Sequence, residues 1–390
     1  MSSVIFEPFR LGDLKLSNRL VMAPMTRNRA GMRGEPTPAM VEYYRQRASA
    51  GLIIAESTAV TATGLGYPFT PGIYTDEQAS SWLRVTNAVH SAGGRIFLQI
   101  FHAGRISHPN LLDGTTPVAP SAVPAQGQAM TYEGPMDFVV PRALGADEIP
   151  GVVDSFRAAA TRALRAGFDG VEVHAGNGYL IDQFLRDGTN HRDDGYGGDH
   201  VGRMRFLNEV LDAVTNELPA GRVGVRFTPE NPFNSMSDSE PASHFGYFLA
   251  QLTDRRLAYV HVLEGDMSRN SHIAAGFAAT GATGPGGSSP GESTGVAYAQ
   301  MREAFPGVYI ANNGYDIATA SAAVECGHAD LVAFGTPFLA NPDLVRRYRD
   351  GLPLNTADPS TFYGGDDRGH TDYPHFRPAD SGRDGDPRAA

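Results

Sequence analysis

Short apolar runs recur along the 390-residue chain, and most are followed by a segment whose apolar positions keep helical spacing. Eight such runs stand out, at 20–23, 52–55, 96–100, 170–173, 223–227, 258–262, 309–311 and 331–334. Helical patterns fill most gaps, among them 76–90, 148–166, 204–218 and 317–326. Strand and helix in alternation argue for a parallel sheet with helices outside it. Eight units in one chain predict an α/β fold of one kind, a single closed (β/α)8 TIM barrel. Residues 6–16 alternate around Gly12-Asp13, which predicts an N-terminal hairpin before the barrel.

Two connections are too long to be simple links. Residues 101–144 are rich in Pro, Gly and Ser, with a hairpin expected at 132–140. Residues 265–295 contain the low-complexity run 278–290. Both follow a strand, so both are expected on the C-terminal face of the barrel as capping loops; a lid and a tolerated insertion are equally open readings of the second. The barrel is assigned to 1–375, and 376–390 to a polar, disordered tail.

Composition narrows the class. With 32 basic against 43 acidic residues the net charge is −11, which argues against a nucleic-acid surface. No apolar run approaches the roughly 18 residues of a membrane span, and the N-terminus lacks a signal-peptide pattern, so a cytoplasmic protein is expected. The single cysteine, Cys326, excludes an intramolecular disulfide and is expected to be a buried thiol on an amphipathic helix.

The candidate chemistry lies where strands hand over to helices. After the fourth run come His174, Asn177 and Tyr179 on a Gly-containing turn, placed as a ligand site would be, although for such a cluster taken alone plain local backbone bonding is the commoner explanation. Pro24-Met-Thr-Arg27 and Glu56-Ser-Thr58 follow the first and second runs, Gln99 lies in the third, and Arg226 ends the fifth. Asn313-Gly314 and Gly335-Thr336 follow the seventh and eighth, where barrels often hold a phosphate on free backbone N–H groups. His102 and His108 lack partnering Cys or carboxylates, and no metal site is expected. From spacing alone the reading is a barrel enzyme with a phosphate-bearing cofactor or substrate.

Seven motifs carry a resemblance: Pro24-Met-Thr-Arg27, Gly66-Tyr-Pro-Phe-Thr-Pro-Gly-Ile-Tyr74, His102-Ala-Gly-Arg-Ile-Ser-His-Pro109, Gly178-Tyr-Leu-Ile-Asp-Gln-Phe-Leu185, Tyr196-Gly-Gly198, Asn341-Pro-Asp-Leu344 and Phe362-Tyr-Gly-Gly365. In this order they resemble the old yellow enzyme family, the FMN-dependent ene-reductases, over nearly the whole chain. The resemblance implies FMN over the barrel mouth, with NADPH or NADH as electron donor. It implies cofactor contacts at Pro24, Met25, Thr26, Ser57, Gln99, Arg226, Asn313, Gly314, Gly335 and Thr336. It further implies that His174 and Asn177 hold a substrate carbonyl oxygen, that Tyr179 donates a proton, and that Tyr67, Phe101 and Tyr363 line the substrate pocket. The implied partner is a small molecule, an α,β-unsaturated carbonyl compound, with the chain monomeric or homodimeric. Nitrate esters, nitroaromatics or a dedicated biosynthetic intermediate are alternative substrates.

The chain departs from the family pattern at several points. Gly335-Thr336 stands where Gly-Arg is common, so the phosphate end loses a guanidinium unless Arg346 or Arg347 reaches over. Glu264-Gly265-Asp266 replaces Glu-Pro-Arg, His174-Ala-Gly-Asn177 swaps the middle pair, and Phe101 replaces a larger aromatic. A barrel with weak flavin binding that merely takes carbonyl or phenolic ligands is the rival from another class.

Overall fold

A computed structural model describes residues 3–267 and 298–377. Most of the 265–295 connection, with the run 278–290, and the tail from 378 onward lie outside the described residues. The hairpin β1 (Phe9–Leu11) and β2 (Leu14–Leu16) is antiparallel, with Leu11 opposite Leu14 across the Gly12-Asp13 turn. Eight parallel strands close into a barrel in the order β3 (Leu20–Met22), β4 (Leu52–Ala59), β5 (Ile96–Phe101), β10 (Gly170–His174), β11 (Val223–Phe227), β12 (Tyr259–Leu263), β13 (Tyr309–Asn312) and β14 (Leu331–Phe334). The expected eight-strand barrel is therefore the observed fold.

Alternation along these strands separates two apolar regions. Val171, Val173, Val225, Phe227, Val260 and Val262 face outward into the shell core shared with the helices. Leu52, Ile54, Phe97, Tyr259, Ile310 and Leu331 form a second cluster inside the barrel, where the hairpin's Leu11, Leu14 and Leu16 pack against them. The hairpin thus plugs the N-terminal mouth. Further along the strands the inward positions turn polar: Gln99, Glu172, His174, Arg226, His261 and Asn312, all buried. A barrel sealed with hydrocarbon at one end and lined with polar groups at the other can hold a ligand only at the polar end.

The shell helices described are α1 (Pro38–Gln46), α2 (Asp76–Ser91), α3 (Ile149–Arg165), α4 (Leu180–Leu185), α5 (His200–Thr215), α6 (Pro241–Gln251), α7 (Tyr298–Ala304), α8 (Ile317–Glu325), α9 (Thr336–Ala340) and α10 (Leu344–Asp350). α2 starts at a reciprocal capping box between Thr75 and Gln78. α5 begins four residues before the expected 204, because the Asp199 carboxylate accepts the Gly202 N–H at 2.9 Å and starts the helix there.

Cys326 corrects an expectation. It caps the C-terminus of α8 and is exposed, because Ala320, Ala323 and Val324 form the buried face and the last turn swings position 326 outward. The 101–144 connection is an ordered cap: β7 (Gln128–Thr131) and β8 (Gly134–Asp137) form the hairpin, earlier than the expected 132–140, around Tyr132-Glu133. Short strands β6 (Val118–Ala119) and β9 (Arg142–Ala143) tie its two ends together. At the C-terminus the chain is held at least to Phe376, which is buried and donates its N–H to Asp343 at 2.8 Å, one residue into the stretch assigned to the tail.

Candidate active site

A cavity of about 740 Å³ opens at the C-terminal mouth of the barrel. That volume falls within the usual range of small-molecule and cofactor sites, about 300–1,000 Å³. Every sequence-predicted site residue except Phe101 is on its wall: Pro24, Met25, Thr26, Ser57, Tyr67, Gln99, His174, Asn177, Tyr179, Arg226, Asn313, Gly314, Gly335, Thr336 and Tyr363. Phe101 instead lies behind Tyr179, with ring centroids 5.0 Å apart.

The floor is one hydrogen-bonded chain that crosses the barrel. Ser57 donates to Gln99 Oε1 at 2.5 Å, and Gln99 Nε2 donates to Glu172 Oε1 at 2.7 Å. Glu172 Oε2 meets His261 Nδ1 at 2.9 Å, and His261 Nε2 meets Arg226 at 2.6 Å. Arg226 also donates to Asn312 Oδ1 at 3.0 Å, and Asn312 Nδ2 donates to the Ala333 carbonyl at 2.8 Å. Burial and the Arg226 charge push His261 down to about 4, against the pull of Glu172. A neutral His261 that accepts from Arg226 on Nε2 donates from Nδ1 to Glu172. Burial works to raise Glu172, but His261, Arg226 and Gln99 outweigh it and hold the carboxyl below its ordinary value. Arg226 is the only Lys or Arg on the cavity wall among the described residues, and no carboxylate joins it there.

One wall carries the predicted catalytic cluster. His174 ends β10 and is buried; its Nδ1 accepts the Gly176 N–H at 3.3 Å, which leaves Nε2 as the protonated nitrogen. Burial, then Arg226 and His261, hold its pKa well below 6.5, so the ring is a neutral donor. Asn177 sits in the left-handed region at φ 56°, one residue before Gly178 at φ 76°. A Cβ on Gly178 would come within 2.7 Å of Asn234, so only glycine fits that turn. The Asn177 backbone is gripped on both sides: its N–H donates to Thr228 at 2.8 Å and its carbonyl accepts from Asn234 at 2.7 Å. Below the turn, the buried Asp182–Arg186 pair, 2.8 Å apart, takes the Gly178 N–H.

Tyr179 follows, 5% exposed, its ring edge-on to His174 and Tyr67. Its hydroxyl donates to Tyr67 Oη at 3.1 Å. Burial, then the neighbouring phenols of Tyr67 and Tyr363, raise its pKa well above 10. Burial likewise pushes Tyr363 up to about 12. Both phenols therefore keep their protons at neutral pH.

The opposite end of the cavity is built from turns. Among the described residues no acceptor takes the backbone N–H of Gly314, Gly335 or Thr336. A Cβ on Gly314 would meet nothing within 4 Å, so the backbone lies bare to the cavity. None of the three arginines of α10 reaches this end: Arg347 is buried against Asp343 at 2.6 Å and the Pro353 and Pro374 carbonyls, Arg346 contacts Asp350 and Phe376, and Arg349 lies over the Phe6 ring. Glu264 is committed to Tyr309, Tyr315 and His328, so it buttresses the sixth-strand end. His102 and His108 each accept a nearby backbone N–H, at 3.0 and 3.1 Å, as local turn caps.

None of Glu172, His261, Asn312 and the gripping residues Thr228, Asn231 and Asn234 was given a role from the sequence. The first three did leave a signal, a polar side chain at an inward position of an apolar strand. The others lie in a loop without pattern.

A cation and amide at the floor, a neutral His, Asn and phenol on one wall, and bare backbone N–H groups at the far end define a flavin-dependent oxidoreductase site on a (β/α)8 barrel. Comparison with known proteins agrees. Residues 4–355 match the NADH:flavin oxidoreductase / NADH oxidase family. The chain is 43% identical to a probable flavin mononucleotide-dependent alkene reductase of Leishmania infantum, over 95% of this chain and 97% of that one. It is 40% identical to 12-oxophytodienoate reductase 1 of Oryza sativa subsp. japonica, over 96% and 94%. Among solved structures, a morphinone reductase superposes with a TM-score of 0.87 at 44% identity, covering 98% of both chains. An old yellow enzyme homologue from Zymomonas mobilis gives 0.86 at 40%, covering 95% of this chain and 99% of that one. The chain belongs to this family, the old yellow enzymes, with FMN as cofactor and a nicotinamide nucleotide as electron donor.

The residues present fit that cofactor. Arg226 offers a fixed cation to a group that gains negative charge on reduction. The unpartnered N–H groups of Gly314, Gly335 and Thr336 suit a phosphate. Cys326, on the outer face of α8, is not part of the site.

Proposed function

We propose that the enzyme reduces the activated C=C bond of an α,β-unsaturated carbonyl compound at the expense of NADPH or NADH. The observation that carries this reading is the placement of His174, Asn177 and Tyr179 on one cavity wall, two neutral donors beside a phenol that keeps its proton. Gln99 and Arg226 would hold the pyrimidine edge of FMN, Thr26 the region of its reactive nitrogen, and Asn313, Gly314, Gly335 and Thr336 its phosphate. When bound, FMN supplies the hydride that reaches the β-carbon.

The chain's own residues do the rest. His174 Nε2–H and the Asn177 amide donate to the carbonyl oxygen, drawing electron density from the alkene and stabilising the enolate as charge moves onto that oxygen. A neutral imidazole keeps its proton through this step, because a hydrogen bond to an anion stabilises the anion without transferring the proton. Tyr179 delivers its hydroxyl proton to the α-carbon, and the electron pair of the enolate C=C forms the new C–H bond. The phenolate left behind lies against Tyr67 Oη, which can turn its own proton toward it. Tyr67 and Tyr363 wall the space the alkene would occupy.

The test is anaerobic turnover of purified, FMN-loaded enzyme with NADPH or NADH and 2-cyclohexenone, with the saturated ketone measured by gas chromatography. Formation of one ketone per nucleotide oxidised is expected. Oxidation of the nucleotide with nitrate esters or nitroaromatics and none with enones would move the assignment to those acceptors.

A further inference from the structure

Away from the cavity, three segments bring metal-ligating side chains together. Asp187 follows α4, Asp238 lies in the loop after β11, and His244 is on α6; one ligating atom of each lies within 4.8 Å of the others. His244 Nδ1 is 2.6 Å from Asp238 Oδ1. Asp187 accepts the Ser239 N–H at 3.0 Å and also the Ser239 hydroxyl.

A second observation marks the cluster as more than an ion pair. The Asp238 side chain is 1% exposed, yet its Oδ2 has no hydrogen-bond partner. Oδ1 already serves both His244 and the Glu240 N–H, so the unpartnered oxygen is the one left for a further ligand. A buried carboxylate oxygen without a donor is unfavourable, and nearby groups do not supply one. Arg186 is taken by Asp182 at 2.8 Å, Arg203 donates from Nη1 to the Gly198 carbonyl at 3.2 Å and its Nε makes no bond to Asp238, and His200 stands 6.4 Å from the His244 ring.

We propose that Asp187, Asp238 and His244 bind one divalent transition-metal ion, Zn²⁺ or Mn²⁺, with water completing the shell. Two carboxylates and an imidazole suit these ions, whereas Ca²⁺ and Mg²⁺ prefer all-oxygen sites. The ion would clip the end of α4 to the loop after β11. That loop supplies Asn234, whose amide holds the Asn177 carbonyl, and Asn231, 3.4 Å from the Asn177 side chain. The clip would therefore steady the carbonyl-binding turn from behind without touching substrate.

The test uses FMN-loaded enzyme stripped with EDTA and dialysed, then titrated separately with Zn²⁺ and Mn²⁺. Uptake is measured by elemental analysis after gel filtration, and thermal unfolding by circular dichroism. One equivalent of at least one metal per chain is expected, with a higher Tm; at free metal of 100 times Kd the folded state is favoured about 100-fold more. Asp238→Asn and His244→Gln should each weaken uptake at least about tenfold, while FMN absorbance and metal-free turnover stay at the parent level. No uptake by the parent overturns the proposal, and so does equal uptake by both variants, which would put the metal on other side chains. Should Asp238→Asn fail to fold, His244→Gln decides alone.

Discussion

Tyr179→Phe removes one oxygen and little else. The ring contacts with Phe101 at 5.0 Å and His174 at 5.1 Å are edge contacts of the ring and survive. The hydrogen bond lost is the 3.1 Å contact with Tyr67, whose hydroxyl keeps its interaction with Asn234. A neutral hydrogen bond is worth about 0.5–1.5 kcal/mol, and the retained partner puts the stability loss at the low end. The kinetic loss should be far larger. A positioned general acid contributes roughly 10²–10⁴ in rate, about 2.7–5.4 kcal/mol of barrier. The two effects separate in stopped-flow measurements of each half-reaction under anaerobic conditions. On the proposed mechanism reduction by NADPH takes no proton from Tyr179 and should be nearly unchanged, whereas reoxidation by 2-cyclohexenone should slow by the full factor. The pH dependence adds a check. An acid works only while protonated, and the Tyr179 pKa lies well above 10, so parent reoxidation should show no loss attributable to this group up to pH 10. An enone step unchanged in the variant would refute the assignment and give the proton to water or another side chain.

His174→Ala and Asn177→Ala should each weaken binding of a phenolate ligand, read from its charge-transfer absorbance, by roughly tenfold to a hundredfold, the worth of one hydrogen bond to a charged oxygen; parental affinity in either variant would free that residue from the role. Thr336→Arg should tighten FMN about 10–100-fold in equilibrium titration of apoprotein, and more at low salt, because the described residues place no other guanidinium at the bare N–H end of the cavity; no change at either salt would show the phosphate already held. Glu56 is buried, and burial raises its pKa from 4.5 to about 7 against the opposing effect of Arg27. A raised folded pKa gives stability that is full below pH 4.5 and lost as pH rises through 7, by roughly 3 kcal/mol at 1.36 kcal/mol per pKa unit. Urea unfolding from pH 4.5 to 8 should therefore show Glu56→Gln gaining on the parent as pH rises, and parallel curves would mean that Glu56 is ionised throughout.

The site was legible in unequal parts. His174, Asn177, Tyr179, Gln99 and Arg226 were visible as polar residues in or just after an apolar run, where a barrel strand delivers side chains to the mouth, and the family resemblance supplied the roles expected of them. Glu172 and His261 were in equally plain view, single polar residues between valines, but a charged group inside a strand gives no hint of its partner. Only closure of the barrel, with Glu172 on β10 and His261 on β12, shows them as the bridge between Gln99 and Arg226. Phe101 was placed on the pocket wall by the family resemblance, yet its ring packs against Tyr179 at 5.0 Å and is not among the residues lining the cavity. The expectation for Cys326 failed for a related reason: helical spacing gives a face, but a residue at the final turn can rotate off it.

The sequence by itself determined the barrel, the N-terminal hairpin and the family. Period-two strands and period-3.6 helices are local consequences of side-chain geometry, and their alternation leaves few ways to bury both apolar faces. Tertiary structure alone decided which polar groups pair and which are left without partners. The Asp187, Asp238 and His244 cluster draws on three segments up to 57 residues apart (187 to 244), and no spacing rule joins them. Their meeting follows from the stacking of α4, the loop after β11 and α6 on neighbouring sectors of the barrel. Burial then strips water from Asp238 and turns an ordinary surface carboxylate into one that needs a ligand.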